Sequence, residues 1–334
     1  MNRLPNNKTL LIAEIGGNHE GSFSKAKDLL FSAHEAGADI VKFQSYSGNG
    51  LVNKLLRPER HKHFNKFMLT DEEWIRLAKV AVENNIKFSS SIWDTHYLEL
   101  LDSYICLYKV GSGDLNNFFL LEKFILTGKP IIISTAMSDL AMIKKVFQFI
   151  LSVDPNIVEE DRLGILQCSA VYDNPSFHLS NLSVMETLRE EFNCLIGYSN
   201  HAVGINSSIA AIAMGANIIE FHFSDDKSRS FRDHKLSFDY DDLKKIRIFR
   251  DEINAMKGSD EKIVIEDERE NLLEFRRGIF PSRDLPTGSK LTIDDLEFLR
   301  PEVGISMWDL EKVLGKKVKR NIKKLEALSF DDLE

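Results

Sequence analysis

Across the first 257 residues, short apolar runs alternate with stretches of helical period, eight of each, and few folds accommodate that order. The runs cover residues 9–16, 38–44, 87–92, 107–112, 130–135, 163–168, 195–199 and 217–223. They lack the in-and-out polarity of a half-wetted strand, so both faces are expected to be covered. The intervening stretches cover residues 22–36, 71–84, 97–101, 118–126, 140–153, 182–192, 205–214 and 241–256. In the first of them Ala26, Leu29, Leu30 and Ala33 fall on one stripe. Ser22, and Thr70 with Glu73 three residues on, read as N-terminal caps, while Gly37 and Gly128 read as stops. The pattern predicts an α/β protein with parallel strands, and the count favours a closed (β/α)8 TIM barrel over an open sheet.

After Lys257 the texture changes. Residues 258–271 are charged and carry no clear apolar stripe, which reads as a linker with or without a short helix. Residues 272–334 hold a turn at Pro286-Thr287-Gly288-Ser289 and short apolar runs, enough for a small β-rich module. The expected division is therefore 1–257, a linker, and 272–334. Composition excludes other classes. Forty-three basic against 51 acidic residues give −8, which argues against a nucleic-acid or anionic-membrane surface. Cys106, Cys168 and Cys194 are odd in number and unrelated in spacing, as in a reducing cytoplasm. The polar start and the short first apolar run suit neither a signal peptide nor a membrane span.

A barrel of this kind works at the carboxyl ends of its strands, so polar side chains there are the candidates. Glu14, Lys42, Gln44, Ser91, Lys109, Ser112, Asp114, Ser134, Ser199, His201, Glu220 and His222 all fall at those ends. Buried carboxylates and ammoniums need partners or a ligand. Lys42 and Lys109, with Ser91, Ser112, Ser134 and Ser199 nearby, suit a small anion carrying phosphate and carboxylate. The alternative is that the two lysines simply pair with Glu14 and Glu220. His201 and His222, on neighbouring strands at matching depth, suit a divalent transition ion. His61 and His63 sit in a charged stretch and read as solvated. The glycine-rich 16–21 loop lacks the order of a nucleotide-binding fingerprint; its glycines read as a tight turn.

These motifs also form a family signature. Ala13-Glu14-Ile15-Gly16-Gly17-Asn18-His19-Glu20-Gly21, Val41-Lys42-Phe43-Gln44, Lys109-Val110-Gly111-Ser112-Gly113-Asp114, Ser134-Thr135-Ala136-Met137, Gly197-Tyr198-Ser199-Asn200-His201 and Glu220-Phe221-His222-Phe223 resemble the sialic acid synthase family. The tail, with Pro286, Gly288, Leu291-Thr292, Asp294-Asp295-Leu296 and Leu299-Arg300-Pro301, resembles that family's antifreeze-like SAF (β-clip) domain. The resemblance spans nearly the whole chain. It implies a C–C bond-forming transferase that condenses phosphoenolpyruvate with an N-acylated amino sugar, N-acetylmannosamine or a modified relative. The products would be a nine-carbon nonulosonic acid and phosphate. It implies Mn2+ or Mg2+ on His201 and His222, and a homodimer whose tail domain covers the partner's barrel mouth. Lys42, Lys109 and the four serines would hold phosphoenolpyruvate, and Glu14 would handle the attacking water. Gln44, Asp114, Tyr172, Asp233 and Arg300 match positions that contact the sugar.

Three positions depart from the family pattern. Phe221 stands where many members have arginine, Ala170 where some have asparagine, and Asn200 where aspartate is common. Two rivals stay open, and the departures motivate the second. One is a synthase of the 3-deoxy-octulosonate phosphate type, which needs a second phosphate pocket. The other is a sugar-binding barrel without catalysis.

Overall fold

A computed structural model describes residues 1–171, 177–230 and 233–334. The chain divides into two compact units, Met1–Gly258 and Ser259–Glu334. In the first, eight strands close into a parallel barrel in sequence order: β1 (Leu10–Gly16), β2 (Ile40–Ser45), β3 (Phe88–Ile92), β4 (Ile105–Val110), β5 (Ile131–Ser134), β6 (Leu163–Cys168), β7 (Leu195–Asn200) and β8 (Ile218–His222). Pairing of β1 with β8, from Leu10–Ile218 to Glu14–His222, closes the ring. The covering helices are α1 (Phe23–Ala36), α4 (Asp71–Glu83), α5 (Thr95–Leu101), α6 (Phe118–Leu126), α7 (Leu140–Val153), α8 (Val184–Phe192), α9 (Asn206–Ala213) and α10 (Tyr240–Lys257). The expected strand and helix order is therefore what forms, with ends shifted by a residue or two.

Two further helices, α2 (Gly48–Leu51) and α3 (Pro58–Phe67), stand between β2 and α4. The sequence reading treated this stretch as solvated, and the structure corrects it. His61 and Phe64, one helical turn apart, are buried, and the His61 ring lies 2.8 Å from Asn49 Oδ1. Pro58 begins the helix where its missing N–H costs nothing. His63 is half-buried against Phe67.

Strand pleating divides the core in two. Outward residues such as Leu11, Ala13, Val41, Phe43, Tyr108, Ile133, Ile196 and Phe221 pack under the helices. Inward residues Leu10, Ile12, Ile40, Leu107, Ile132, Leu166 and Ile218 fill the lower barrel, and Leu4 from the N-terminal segment joins them. Two to four positions further along the same inward rows stand Glu14, Lys42, Lys109, Ser134, Cys168 and Glu220. The barrel is thus apolar below and polar above, on one face of each strand. The caps behave as read: Thr70 and Glu73 form a capping box, Ser22 accepts from Lys25 N, and Gly37 closes α1 at φ 109°.

The second unit carries α11 (Arg269–Phe275), which runs across the position expected to end the linker. Antiparallel β9 (Gly278–Pro281) and β10 (Leu296–Leu299) follow, with single bridges at Leu285–Ile322, Lys290–Lys317 and Val318–Leu333. Its own small core holds Ile279, Leu285, Leu291, Leu296, Ile305, Val313, Val318, Ile322 and Leu328. Among the described residues no helix is long and apolar enough to cross a membrane.

Candidate active site

The polar ends of the strands surround a cavity of about 700 Å³ at the carboxyl mouth of the barrel. Glu14, Lys42, Gln44, Ser91, Lys109, Ser112, Asp114, Ser134, Ser199, His201, Glu220, His222 and Asp233 all line it. One cavity therefore gathers the cations, serines and imidazoles that lie far apart in the chain.

Its floor is a chain of charges. Lys42 touches Glu14 and lies 3.3 Å from Glu220, and Lys109 lies 3.3 Å from the other oxygen of Glu220. All four side chains are nearly out of solvent. The lysine–glutamate pairing foreseen as one alternative is thus present. Burial opposes the charge on Glu220, but Lys109 and Lys42 outweigh it and hold its carboxyl well below the usual range. Glu14 goes the other way: burial, aided by the Glu220 charge, raises its pKa against the pull of Lys42. Glu220 is the anion both lysines share, and Glu14 is the carboxyl poised to carry a proton.

The serines divide by what they already bond. Ser91 Oγ accepts from Lys42 at 3.0 Å, and Ser199 donates to Glu220 at 2.8 Å. Ser112, in a short turn after β4, accepts from Ala136 N at 3.0 Å. Among the described residues, buried Ser134 Oγ finds no hydrogen-bond partner, nor does Glu14 Oε1. Such atoms are costly unless a ligand completes them. Gly16, at φ 53°, keeps this corner open: a Cβ there would sit 3.0 Å from Glu14 Oε1 and 3.2 Å from Gln44 Nε2.

The imidazoles of His201 and His222 face each other with ring centroids 5.4 Å apart. Burial, then the neighbouring His222, pushes the His201 pKa down to about 4, so its ring is neutral near pH 7. Buried His222 Nδ1 has no hydrogen-bond partner among the described residues and lies 3.7 Å from the Asp233 carboxylate. Cys168 Sγ lies 3.5 Å from His201 Nδ1. Two facing imidazoles, the His201 ring neutral and the other with a nitrogen that finds no hydrogen-bond partner among the described residues, fit a divalent cation. Among the described residues no group of three or more His, Cys, Asp or Glu side chains could hold an ion. Two imidazoles would therefore share it with water or substrate oxygens.

Other residues of the motifs hold the surrounding structure. Asn18 donates to Phe223 O and Ser237 Oγ, and His19 packs between Phe43 and Trp74. Both knit the β1 loop to its surroundings. Asn200 Oδ1 accepts from Ala202 N and Ser207, which fixes the turn presenting His201. Phe221 points outward and stacks on Phe238 at 4.6 Å. Arg300 is exposed in the second unit, just after β10. Tyr172 lies outside the described residues. Sequence reasoning missed Arg60, Phe64, Trp93, Met137 and Cys168, which also line the cavity. Only Cys168 had a readable signal, two residues beyond inward-facing Leu166.

Comparison with known proteins now decides the family. The NeuB family model matches residues 29–262, and the SAF domain model matches residues 276–334. The chain belongs to the NeuB family. The chain is 32% identical to N,N'-diacetyllegionaminic acid synthase of Legionella pneumophila over 97% of this chain and 94% of that one. It is 30% identical to mouse (Mus musculus) N-acetylneuraminate-9-phosphate synthase over 97% and 92%. The crystal structure of N-acetylneuraminic acid synthetase from Leptospira borgpetersenii, in complex with citrate, superposes with a TM-score of 0.72. That match has 25% identity and covers 80% of this chain and 91% of the other. The resemblance read from the motifs therefore holds, as does the pairing of a TIM barrel with a SAF domain. The NeuB mouth, with its shared Glu220 and facing imidazoles, is the place where chemistry is to be sought.

Proposed function

We propose that this NeuB protein condenses phosphoenolpyruvate with the open-chain form of an N-acylated amino sugar, giving a nonulosonic acid and phosphate. The observation that carries the reading is the floor of the cavity, where two ammoniums lie beside two facing imidazoles. Lys42 and Lys109 would exchange part of their hold on Glu14 and Glu220 for the phosphate and carboxylate of phosphoenolpyruvate. The free Ser134 hydroxyl supplies a donor there. Held this way, C3 of the enol faces the sugar aldehyde. A new C–C bond forms, water adds at C2, and the C2–O bond breaks with release of phosphate. Glu14, its pKa raised by burial, exchanges a proton with that water. Gln44, Asp114 and Asp233 orient the sugar. His201 and His222 would hold a divalent ion, Mn2+ or Mg2+, which when bound polarises the aldehyde oxygen.

The same reading makes the protein a cytoplasmic homodimer in which Arg300 of the partner subunit meets the acyl group. Relatives at 32% and 30% identity bear names for different products, so the sugar is left to experiment. Phosphate release from phosphoenolpyruvate should appear with N-acetylmannosamine or a 2,4-diacetamido hexose and vanish with a chelator. Turnover only with arabinose 5-phosphate would favour an octulosonate-type synthase. Binding without turnover on every sugar would favour a non-catalytic barrel.

A further inference from the structure

One histidine near the mouth has no part in the chemistry described above. His234 is fully buried in a single turn, His234–Leu236, of the loop that follows β8. Its ring joins two polar side chains from different parts of the chain. Nε2 lies 3.0 Å from Glu20 Oε1, and Nδ1 lies 2.6 Å from Ser224 Oγ. The Ser224 oxygen also accepts from Asp226 N at 3.0 Å, which leaves its hydroxyl proton for Nδ1. Nε2 then carries the ring proton and donates it to the Glu20 carboxylate. The two partners thus fix one tautomer and one ring orientation.

Beside His234 stands Asp233, whose carboxylate lies 3.7 Å from His222 Nδ1 on the cavity wall. Among the described residues no hydrogen bond holds that carboxylate, so its place is set by the backbone that carries it. That backbone is gripped from the same side as His234. Asp233 O accepts from Ser237 Oγ at 2.7 Å, and Ser237 Oγ accepts from Asn18 Nδ2 at 3.0 Å. Asn18 and Glu20, two residues apart in the turn that leaves β1, therefore hold two consecutive residues of the distant β8 loop. The turn is strained at Glu20 itself, which sits at φ 53°, in the left-handed region that favours glycine. A glutamate is held there against the backbone preference, with its carboxylate also meeting Lys25 at 2.7 Å and Arg229 at 3.5 Å.

We propose that Glu20, acting through His234, is the positioning residue that places the Asp233 carboxylate beside His222 and so sets how the sugar is oriented in the mouth. For the sugar this rests on the condensation proposed above; for the placement of Asp233 it does not.

The test is a double-mutant cycle on the full-length protein with Mn2+, reading phosphate release with N-acetylmannosamine or whichever 2,4-diacetamido hexose is turned over. Glu20→Ala should raise the sugar KM about tenfold, while the phosphoenolpyruvate KM moves less than about threefold. Glu20→Gln, which keeps an oxygen for the His234 Nε2–H, should stay within about threefold of wild type on both. In an Asp233→Ala background, Glu20→Ala should cost less than about twofold more. Additive losses, or an equal rise in both KM values, overturn the proposal. So does a Glu20→Gln variant as impaired as Glu20→Ala, which would give the effect to the charge pairs with Lys25 and Arg229. If no sugar supports turnover, the condensation itself fails, and histidine-ring 15N NMR in chelator decides the placement. Glu20→Ala and Asp233→Ala should then move the His222 ring signals in the same direction, with Glu20→Gln leaving them in place. His222 signals that Glu20→Ala does not move refute the assignment.

Discussion

The lower and upper halves of the barrel interior are built on the same rows of the same strands. Ile12 and Glu14 are neighbours on one face of β1, Ile40 and Lys42 on β2, Ile132 and Ser134 on β5, Ile218 and Glu220 on β8. Below, dispersion and burial do everything, and each side chain is satisfied by its neighbours alone. Above, burial is equally deep, but among the described residues three buried atoms, Glu14 Oε1, Ser134 Oγ and His222 Nδ1, have no hydrogen-bond partner. The lower half therefore stabilises and the upper half is incomplete until something binds, which separates packing from function within a few ångströms.

The hardest break of that contrast is Lys42→Ala. It leaves buried Glu14 and strips Glu220 of one cation, so stability should fall by about 3–5 kcal/mol and turnover should disappear. Urea unfolding and phosphate release test both, and a stable variant would mean that the floor charges are hydrated. His222→Ala should lose on the order of 10³-fold in turnover, roughly 4 kcal/mol, with nearly unchanged thermal unfolding. Retained activity would remove the metal role of the imidazole pair.

A pH series sharpens the same comparison. His201 binds its proton less readily folded, at about 4, than unfolded near 6.5. The unfolded chain therefore takes up protons first as acid is added. In chelator, stability should be full above about pH 6.5 and decline towards pH 4, on the order of 2–3 kcal/mol in all. His201→Gln should flatten that slope; an unchanged slope would assign it to other groups. In the lower half Ile132→Val should cost only about 0.5–1.5 kcal/mol and leave kcat alone. Smallest is Ser134→Ala. Removing a hydroxyl that bonds nothing should change stability by less than about 0.5 kcal/mol while raising the phosphoenolpyruvate KM severalfold. A clear loss of stability would show that the hydroxyl is already satisfied.

Much of the barrel was legible because its signals are local. Apolar runs of strand length, stripes at 3.6-residue spacing and caps at Ser22 and Thr70 act over a few residues. The α2–α3 rim was missed because α2 is a single turn and α3, interspersed with charges, buries just two side chains, His61 and Phe64. His61 looked solvated beside Arg60 and Lys62, yet one helical turn places it next to Asn49. Asn18 and Asn200 stand inside the family motifs, yet their hydrogen bonds to Phe223 O and Ser207 hold loops.

The order of residues by itself determined the alternation, the closed parallel barrel it implies, the tail module, and which side chains stand at strand ends, since propensity, period and capping are near-neighbour effects. Only the folded structure decided that Glu220 is shared by Lys42 and Lys109, that Asp233 approaches His222, and that Arg60 reaches the same cavity. The shared Glu220 depends on strands meeting across more than a hundred residues, and the other two on where the loop after β8 and the α3 rim come to rest. Burial then converts small differences in distance into which carboxyl keeps its charge.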